Sequence, residues 1–305
     1  MSKKNLFVCL TPFQIYFSMK IIESKNIENA LILLIDLSNS SKNYYYLERA
    51  RLQCKCEVLA YKEVNNKKIL KLFGFLRFIL SNFFLKKFNS IYMASLHDKY
   101  IHILMKFISF DKIIGFDDGV ANLNKNGAYF NDEYIKRNII NKMDKHYTVF
   151  LDVENIVGKE KIEVLNIFNG VYGASHIKNS VKFFVGQPID ELFKSKGEDY
   201  LSSIIKSLGV DFYFKHPREK YVINGVAYVD SHEIFESYLE RFLVDNPNTE
   251  VLIYTFISTV VFNVSNFSNV KLFSLYDDEL YAKYKSLYDL AEDFNIEMKS
   301  LNEIS

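Results

Sequence analysis

Ile113-Ile114-Gly115-Phe116-Asp117-Asp118-Gly119 is an apolar run that stops in two carboxylates and a glycine. In the other half of the chain, Phe214-Lys215-His216-Pro217-Arg218-Glu219 stops in a histidine held by a proline. Short apolar runs bounded by turn residues read as strands buried on both faces. Two strand ends, one in each half, thus offer a candidate base and a candidate acid. That is the equipment for moving a group from a charged leaving group to a hydroxyl.

Outward from these two stretches the same pattern recurs. Apolar runs at 6–10, 30–37, 57–60, 90–94 and 112–116 read as strands, and the spacing predicts helices over 13–24 and 98–108. A second series has strands at 181–185, 211–215, 250–256 and 270–273, and helices over 198–208 (closed by Gly209), 231–242 and 284–294. Alternation of this kind gives an α/β class with mostly parallel sheets. Between the two series, 147–151 reads as a strand and 159–167 as an irregular or helical piece. The expected organisation is an N-terminal unit over 1–155, a crossover over 156–180 and a C-terminal unit over 181–305, with the last helix a candidate to pack back on the first unit. Two such units facing each other make a cleft lined by strand ends, where ligands of parallel sheets sit. Thr11, Ser95 and Asp117-Asp118-Gly119 fall at such ends.

Composition narrows the class. The chain has 305 residues, 49% hydrophobic and 16% aromatic, which suffices for two cores. A formal net charge of +1 excludes a nucleic-acid binder that works through bulk charge. Three cysteines (Cys9, Cys54 and Cys56) are not a disulfide framework, and the Cys54-x-Cys56 pair lacks the partners of a zinc site. They read as small buried or half-buried side chains in a strand, in a reducing compartment. The start, 1–10, is basic and then apolar, but Thr11-Pro12-Phe13-Gln14 interrupts it without a small-residue cleavage site. No window reaches the ~20 apolar residues of a membrane span. The expectation is a cytoplasmic protein.

Each motif carries a functional and a plain reading. Asp117-Asp118-Gly119 suits a base that deprotonates a sugar hydroxyl, with Gly119 letting backbone turn and substrate approach; it also suits an ordinary turn. A divalent metal there lacks a third ligand at useful spacing. His216 can donate to a leaving phosphate, with Pro217 fixing the backbone and Arg218 adding charge; it can equally be a surface turn histidine. Ser258-Thr259, at a strand-to-helix junction, forms a phosphate cradle or a plain helix cap. Gly186-Gln187-Pro188 should reach the same cleft, and Asp190 just beyond is either a second candidate base or an acid complementing a helix dipole. His97 and His102 read as structural. Residues 68–88 mix five cations with many apolar side chains. They read as a basic amphipathic helix on an anionic membrane or as a core-facing helix with a solvated basic rim.

The ordered set Thr11-Pro12-Phe13-Gln14, Phe116-Asp117-Asp118-Gly119, Gly186-Gln187-Pro188, His216-Pro217-Arg218-Glu219 and Ser258-Thr259 resembles the bacterial lipooligosaccharide and capsule sialyltransferases, the family that includes the neisserial α-2,3-sialyltransferase. The likeness spans roughly 5–260. It implies a GT-B architecture of two Rossmann-like domains and transfer of sialic acid from CMP-Neu5Ac, with inversion, to a galactose-type acceptor through an α-2,3 linkage. It further implies no metal, no cofactor and a homodimer. The C-terminal unit would be the donor side and the N-terminal unit the acceptor side. His216 would act as acid on the donor phosphate, which Ser258 and Thr259 would also hold. Asp117, Asp118 and Asp190 remain the candidate bases. Thr11, Gln14, Gly119, Gly186, Gln187, Pro217 and Arg218 would line the substrate site. Rival readings are transfer from another CMP-sugar such as CMP-Kdo, a non-catalytic nucleotide- or glycan-binding protein, and a membrane scaffold built on 68–88.

Overall fold

The structure is a computed structural model that describes residues 3–63, 67–168, 177–193 and 196–304. Residues 169–176 of the expected crossover and the first two residues of the N-terminal stretch lie outside that range. The chain divides into two compact units, Met1–Ile167 and Phe168–Ser305.

The first unit runs β1 (Lys4–Cys9), α1 (Pro12–Ser24), β2 (Ala30–Asp36), α2 (Ser41–Gln53), β3 (Glu57–Lys62), α3 (Lys68–Phe83), β4 (Lys87–Met93), α4 (Lys99–Phe107), β5 (Ser109–Phe116), α5 (Ala128–Asn131), α6 (Glu133–Asn138), β6 (Lys145–Thr148) and β7 (Ile162–Val164). Among the described residues its strands form one sheet in the order β3-β2-β1-β4-β5-β6-β7, and every pairing is parallel. Central strands of such a sheet must be apolar on both faces. In β2 every residue is buried. One face of the sheet carries Leu33, Ile91 and Met93 against Phe75, Ile79 and Phe83 of α3 and Leu104 of α4.

The second unit runs β8 (Asn179–Val185), α7 (Ile189–Leu192), α8 (Glu198–Leu208), β9 (Phe212–Phe214), β10 (Ala227–Tyr228), α9 (Phe235–Asp245), β11 (Thr249–Thr255), α10 (Thr259–Asn263), β12 (Val270–Tyr276), α11 (Asp278–Asp293) and β13 (Glu297–Ser300). Its sheet, again parallel among the described residues, has the order β10-β9-β8-β11-β12-β13. Rings supply much of its packing. Phe183 meets Phe242 edge-on at 5.3 Å and Phe235 at 5.9 Å.

Both sheets place the first strand of the unit next to the fourth, the doubly wound arrangement in which the chain reverses direction across the sheet. The reversal leaves a crevice beyond the carboxyl ends of those two strands. In the first unit it lies between β1 and β4, and in the second between β8 and β11.

Several boundaries differ from the sequence expectation, for local reasons. The piece over 159–167 contains β7, which extends the first sheet through pairing with β6. The helix expected over 231–242 starts at Phe235. The helix expected over 284–294 starts at Asp278, where Asp277 accepts from the Leu280 N–H at 2.9 Å. A kink at Tyr284 (φ −121°, ψ 25°) breaks its periodicity at the point where the spacing places its start. Cys54 and Cys56 stand between α2 and β3 rather than in a strand, because Cys54 closes α2.

Gly209 ends α8 in the left-handed conformation, φ +61°. A side chain there is strained by about 1 kcal/mol. Gly209→Ala should therefore lower the stability of the second unit by about that amount, read as a shift in the urea midpoint at constant slope.

Candidate active site

In the first unit the crevice residues bind one another. Thr11 caps α1, its Oγ1 accepting from the Gln14 N–H at 3.3 Å, and Pro12 takes the first helical position. Gln14 is fully buried. Its Oε1 accepts from the Leu10 N–H, while Nε2 donates to Ser95 Oγ and to Asp118 Oδ1, each at 2.7 Å. Gln14 thus ties β1 to β4 across the reversal, and its amide is spent inside the protein.

The two aspartates sit differently. Asp117 is fully buried. Its carboxylate accepts from His146 Nε2 (3.0 Å), Thr148 Oγ1 (2.7 Å) and the Val149 N–H (2.9 Å). A carboxylate has no proton to give, so the imidazole nitrogen must be the donor. Asp117 is a strut joining β5 to β6 and is closed to a substrate hydroxyl. Asp118 is half-buried and also saturated, by Gln14 on Oδ1 and by Ser95 and Tyr129, each at 3.0 Å, on Oδ2. Its own N–H donates to Asn122 Oδ1 at 3.0 Å. Gly119 follows at φ +62°, a conformation that favours glycine. His97 stacks on Tyr129 with centroids 4.4 Å apart, and His102 donates to the Leu96 carbonyl. Tyr129 and His146 gave no sequence signal. A tyrosine in the single turn of α5 and a histidine inside the four-residue β6 acquire meaning only from what stands opposite.

In the second unit three consecutive strand ends carry the expected residues: β9 leads to His216, β8 to Gly186-Gln187 and Asp190, and β11 to Ser258-Thr259. Gln187 repeats the part played by Gln14. Its Nε2 donates to the Ile257 carbonyl at 2.6 Å, and its Oε1 accepts from Thr255 Oγ1 at 3.3 Å. Ser258 caps the short α10, accepting from the Val260 N–H at 3.4 Å. Ser258 and Thr259 are both half-buried.

His216 is half-buried, and its Nδ1 accepts from the Arg218 N–H at 3.1 Å. In the neutral ring the proton is therefore on Nε2, which makes Nε2 the donor. Pro217 is exposed. Arg218 is exposed too and makes a two-pronged ion pair with Glu191, at 2.6 and 2.8 Å. Its charge is committed there, although an exposed pair of this kind contributes little and can open. Asp190 is exposed, and among the described residues no donor reaches its carboxylate.

Glu219 was not expected as part of the site. It is buried, and its Oε1 accepts from the His216 backbone N–H at 3.1 Å and its Oε2 from the Tyr213 hydroxyl at 3.0 Å. A Cβ on Gly186 would collide with Glu219 Oε1 and with the Tyr213 hydroxyl, so only glycine lets β8 pass. Burial pushes the Glu219 carboxyl up to about 7, against the pull of the His216 N–H, the Tyr213 hydroxyl and the Lys215 charge. The phenols of Tyr213 and Tyr221 beside it are raised by burial as well.

Among the described residues no group of three or more His, Cys, Asp or Glu side chains is gathered for a metal, and no helix is long and apolar enough to cross a membrane.

Two parallel doubly wound units with polar strand ends are a GT-B-like fold. Arabidopsis thaliana UGT89C1 complexed with UDP superposes with a TM-score of 0.50 at 10% identity, over 98% of this chain and 86% of that one. The profile of Glycosyltransferase family 52 matches residues 26–138 and 129–277, and the chain belongs to that family. An N-acetyllactosaminide alpha-2,3-sialyltransferase of Haemophilus influenzae is 31% identical over 290 residues, 88% of this chain and 90% of that protein. A CMP-N-acetylneuraminate:beta-galactoside alpha-2,3-sialyltransferase of Pasteurella multocida is 26% identical over 320 residues, 98% of this chain and 100% of that protein.

The raised Glu219 carboxyl gives a signed expectation. Its ordinary value is 4.5 and its folded value about 7. The stability tied to its neutral form is complete below about 4.5 and is lost as pH rises through about 7. Glu219→Gln, which cannot ionise, should show a smaller fall in melting temperature across that window than the wild type. Equal falls in the two proteins would refute the assignment.

Proposed function

We propose that this chain is an inverting sialyltransferase that moves sialic acid from CMP-Neu5Ac to a galactose-type hydroxyl, forming an α-2,3 linkage. The observation that carries the chemistry is the pair of groups on neighbouring strand ends of the second unit. His216 is fixed with its proton on Nε2, and Asp190 is an exposed carboxylate that no donor occupies among the described residues. Family membership and the two sialyltransferases across nearly the whole chain support the donor and the acceptor class.

The bond between the sialyl anomeric carbon and the CMP phosphate oxygen breaks, and its electron pair stays on the phosphate. Charge grows there, and donors already aimed at it stabilise the transition state most. His216 Nε2–H donates a hydrogen bond to that oxygen and steadies the charge growing on it, the neutral ring keeping its proton. Ser258 and Thr259, at the next strand end but one, are placed to meet the same phosphate. Asp190 takes the proton of the acceptor hydroxyl, whose oxygen bonds the anomeric carbon on the face opposite the departing phosphate. Inversion follows from that geometry. Asp118 serves as a positioning residue in the first unit, since three donors already hold its carboxylate. Buried Cys9 and Cys56 and half-buried Cys54, all free, support a reducing, cytoplasmic compartment. The family resemblance supports a homodimer, which sedimentation at two concentrations tests.

His216→Ala and Asp190→Asn should each lower turnover by ~10²–10⁴-fold with melting temperature retained. Asp190→Asn within a few-fold of wild type would remove the base from that position. Since a ligand that binds only the folded state stabilises it, CMP and CMP-Neu5Ac should raise the melting temperature and UDP should not. A larger rise with CMP-Kdo than with CMP-Neu5Ac would change the donor.

A further inference from the structure

Helix α3 is apolar on two adjoining stripes, and only one of them is used by the core. Phe75, Ile79 and Phe83 are fully buried against the sheet and α4. Ile69, Phe73 and Leu80, at helical spacing on the next stripe, are 69%, 64% and 49% exposed, and Phe84 and Leu85, just past the helix end, are 62% and 79% exposed. Leu70 and Leu72 are exposed beside them. A patch of this size on one element, where single exposed apolar residues are the norm, marks an interaction surface.

The charge around the patch selects the partner. From 67 to 87 the chain has six cations, Lys67, Lys68, Lys71, Arg77, Lys86 and Lys87, and no carboxylate. Lys71 is paired with Glu63. Among the described residues, no carboxylate pairs with the other five. We propose that α3 and the Phe84–Lys87 corner dock on an anionic lipid surface, the apolar stripe entering the headgroup boundary and the cations meeting lipid phosphates. A second copy of the chain fits the patch poorly. A two-fold contact would set the same unpaired cations against one another across the interface. The inference rests on this surface alone and is independent of the reaction assigned above. The Lys71–Glu63 pair ties the start of α3 to the end of β3, an edge strand of the first sheet.

Vesicle co-sedimentation of the full chain tests it, with phosphatidylcholine alone and with phosphatidylcholine containing phosphatidylglycerol. Binding should require the anionic lipid and weaken as salt is raised. The double variant Lys68→Gln/Arg77→Gln should lower the partition coefficient by roughly 30-fold, from about one cation's attraction at each position. Phe73→Ser/Phe84→Ser should also lower it, with the melting temperature retained because both side chains are exposed. No binding to either vesicle, equal binding to both, or unchanged binding by both variants overturns the proposal. So does a self-association of the wild type that Phe73→Ser/Phe84→Ser abolishes, which would assign the patch to a second copy.

Discussion

The buried carboxyl of Glu219 beneath Gly186 sets where the imidazole of His216 can stand. Strand β9 is only three residues long, so the ladder alone does not fix the turn that follows it. Glu219 supplies what the ladder lacks, by accepting the His216 N–H on one oxygen and the Tyr213 hydroxyl on the other. The turn then closes on itself, since the Glu219 N–H donates to the His216 carbonyl at 3.1 Å. Burying a carboxyl is costly unless it is neutral or well partnered. Here two donors and a pKa near neutrality offset that cost. Gly186 belongs to the same constraint, because any side chain at that position would displace both Glu219 and Tyr213.

The two glutamines extend the constraint to the strand ends on either side. A doubly wound sheet opens a crevice where its strand order reverses, and nothing in the backbone ladder spans it. Gln14 crosses it in the first unit, its amide accepting from the β1 side and donating to the β4 side, and Gln187, at the end of β8, crosses it in the second by placing both ends of its amide on the β11 side. The same chemistry at corresponding places suggests why both fall in the motifs that mark the chain. Their contribution is to tie together the strand ends on either side of the crevice.

Much of this architecture was legible in the sequence. Apolar runs such as 30–37 and 181–185 announce buried parallel strands, and Gly209 announces the end of α8, because those signals depend on local chemistry alone. Short strands such as β7, β10 and β13 were not legible. They owe their existence to a neighbouring strand rather than to their own few residues. For the site the same division holds. The Asp117-Asp118 pair looked like the base because adjacent carboxylates at a strand end are conspicuous. Asp117 is enclosed by His146, Thr148 and Val149, contributed by β6 and the loop beyond, which no spacing rule foretells. Glu219 was in plain view beside His216 but carried no signal until its burial was known.

The contrast between Asp190 and Glu191 shows how neighbouring acids can divide their work. Both lie in the single turn of α7, and both are exposed. Glu191 alone engages Arg218, across to the turn that carries His216. Had Arg218 paired with Asp190 instead, the guanidinium would have filled the carboxylate lone pairs that a base must offer to a hydroxyl. With Glu191 taking the cation, the ion pair laces the α7 loop to the histidine turn and leaves the adjacent carboxylate open. Tyr221 adds a second lace by donating to the Gln187 carbonyl at 2.7 Å and accepting the Ile189 N–H at 3.3 Å. Asp190 and His216 therefore stand on two loops that are tied to each other at two points, through Arg218–Glu191 and through the Tyr221 hydroxyl.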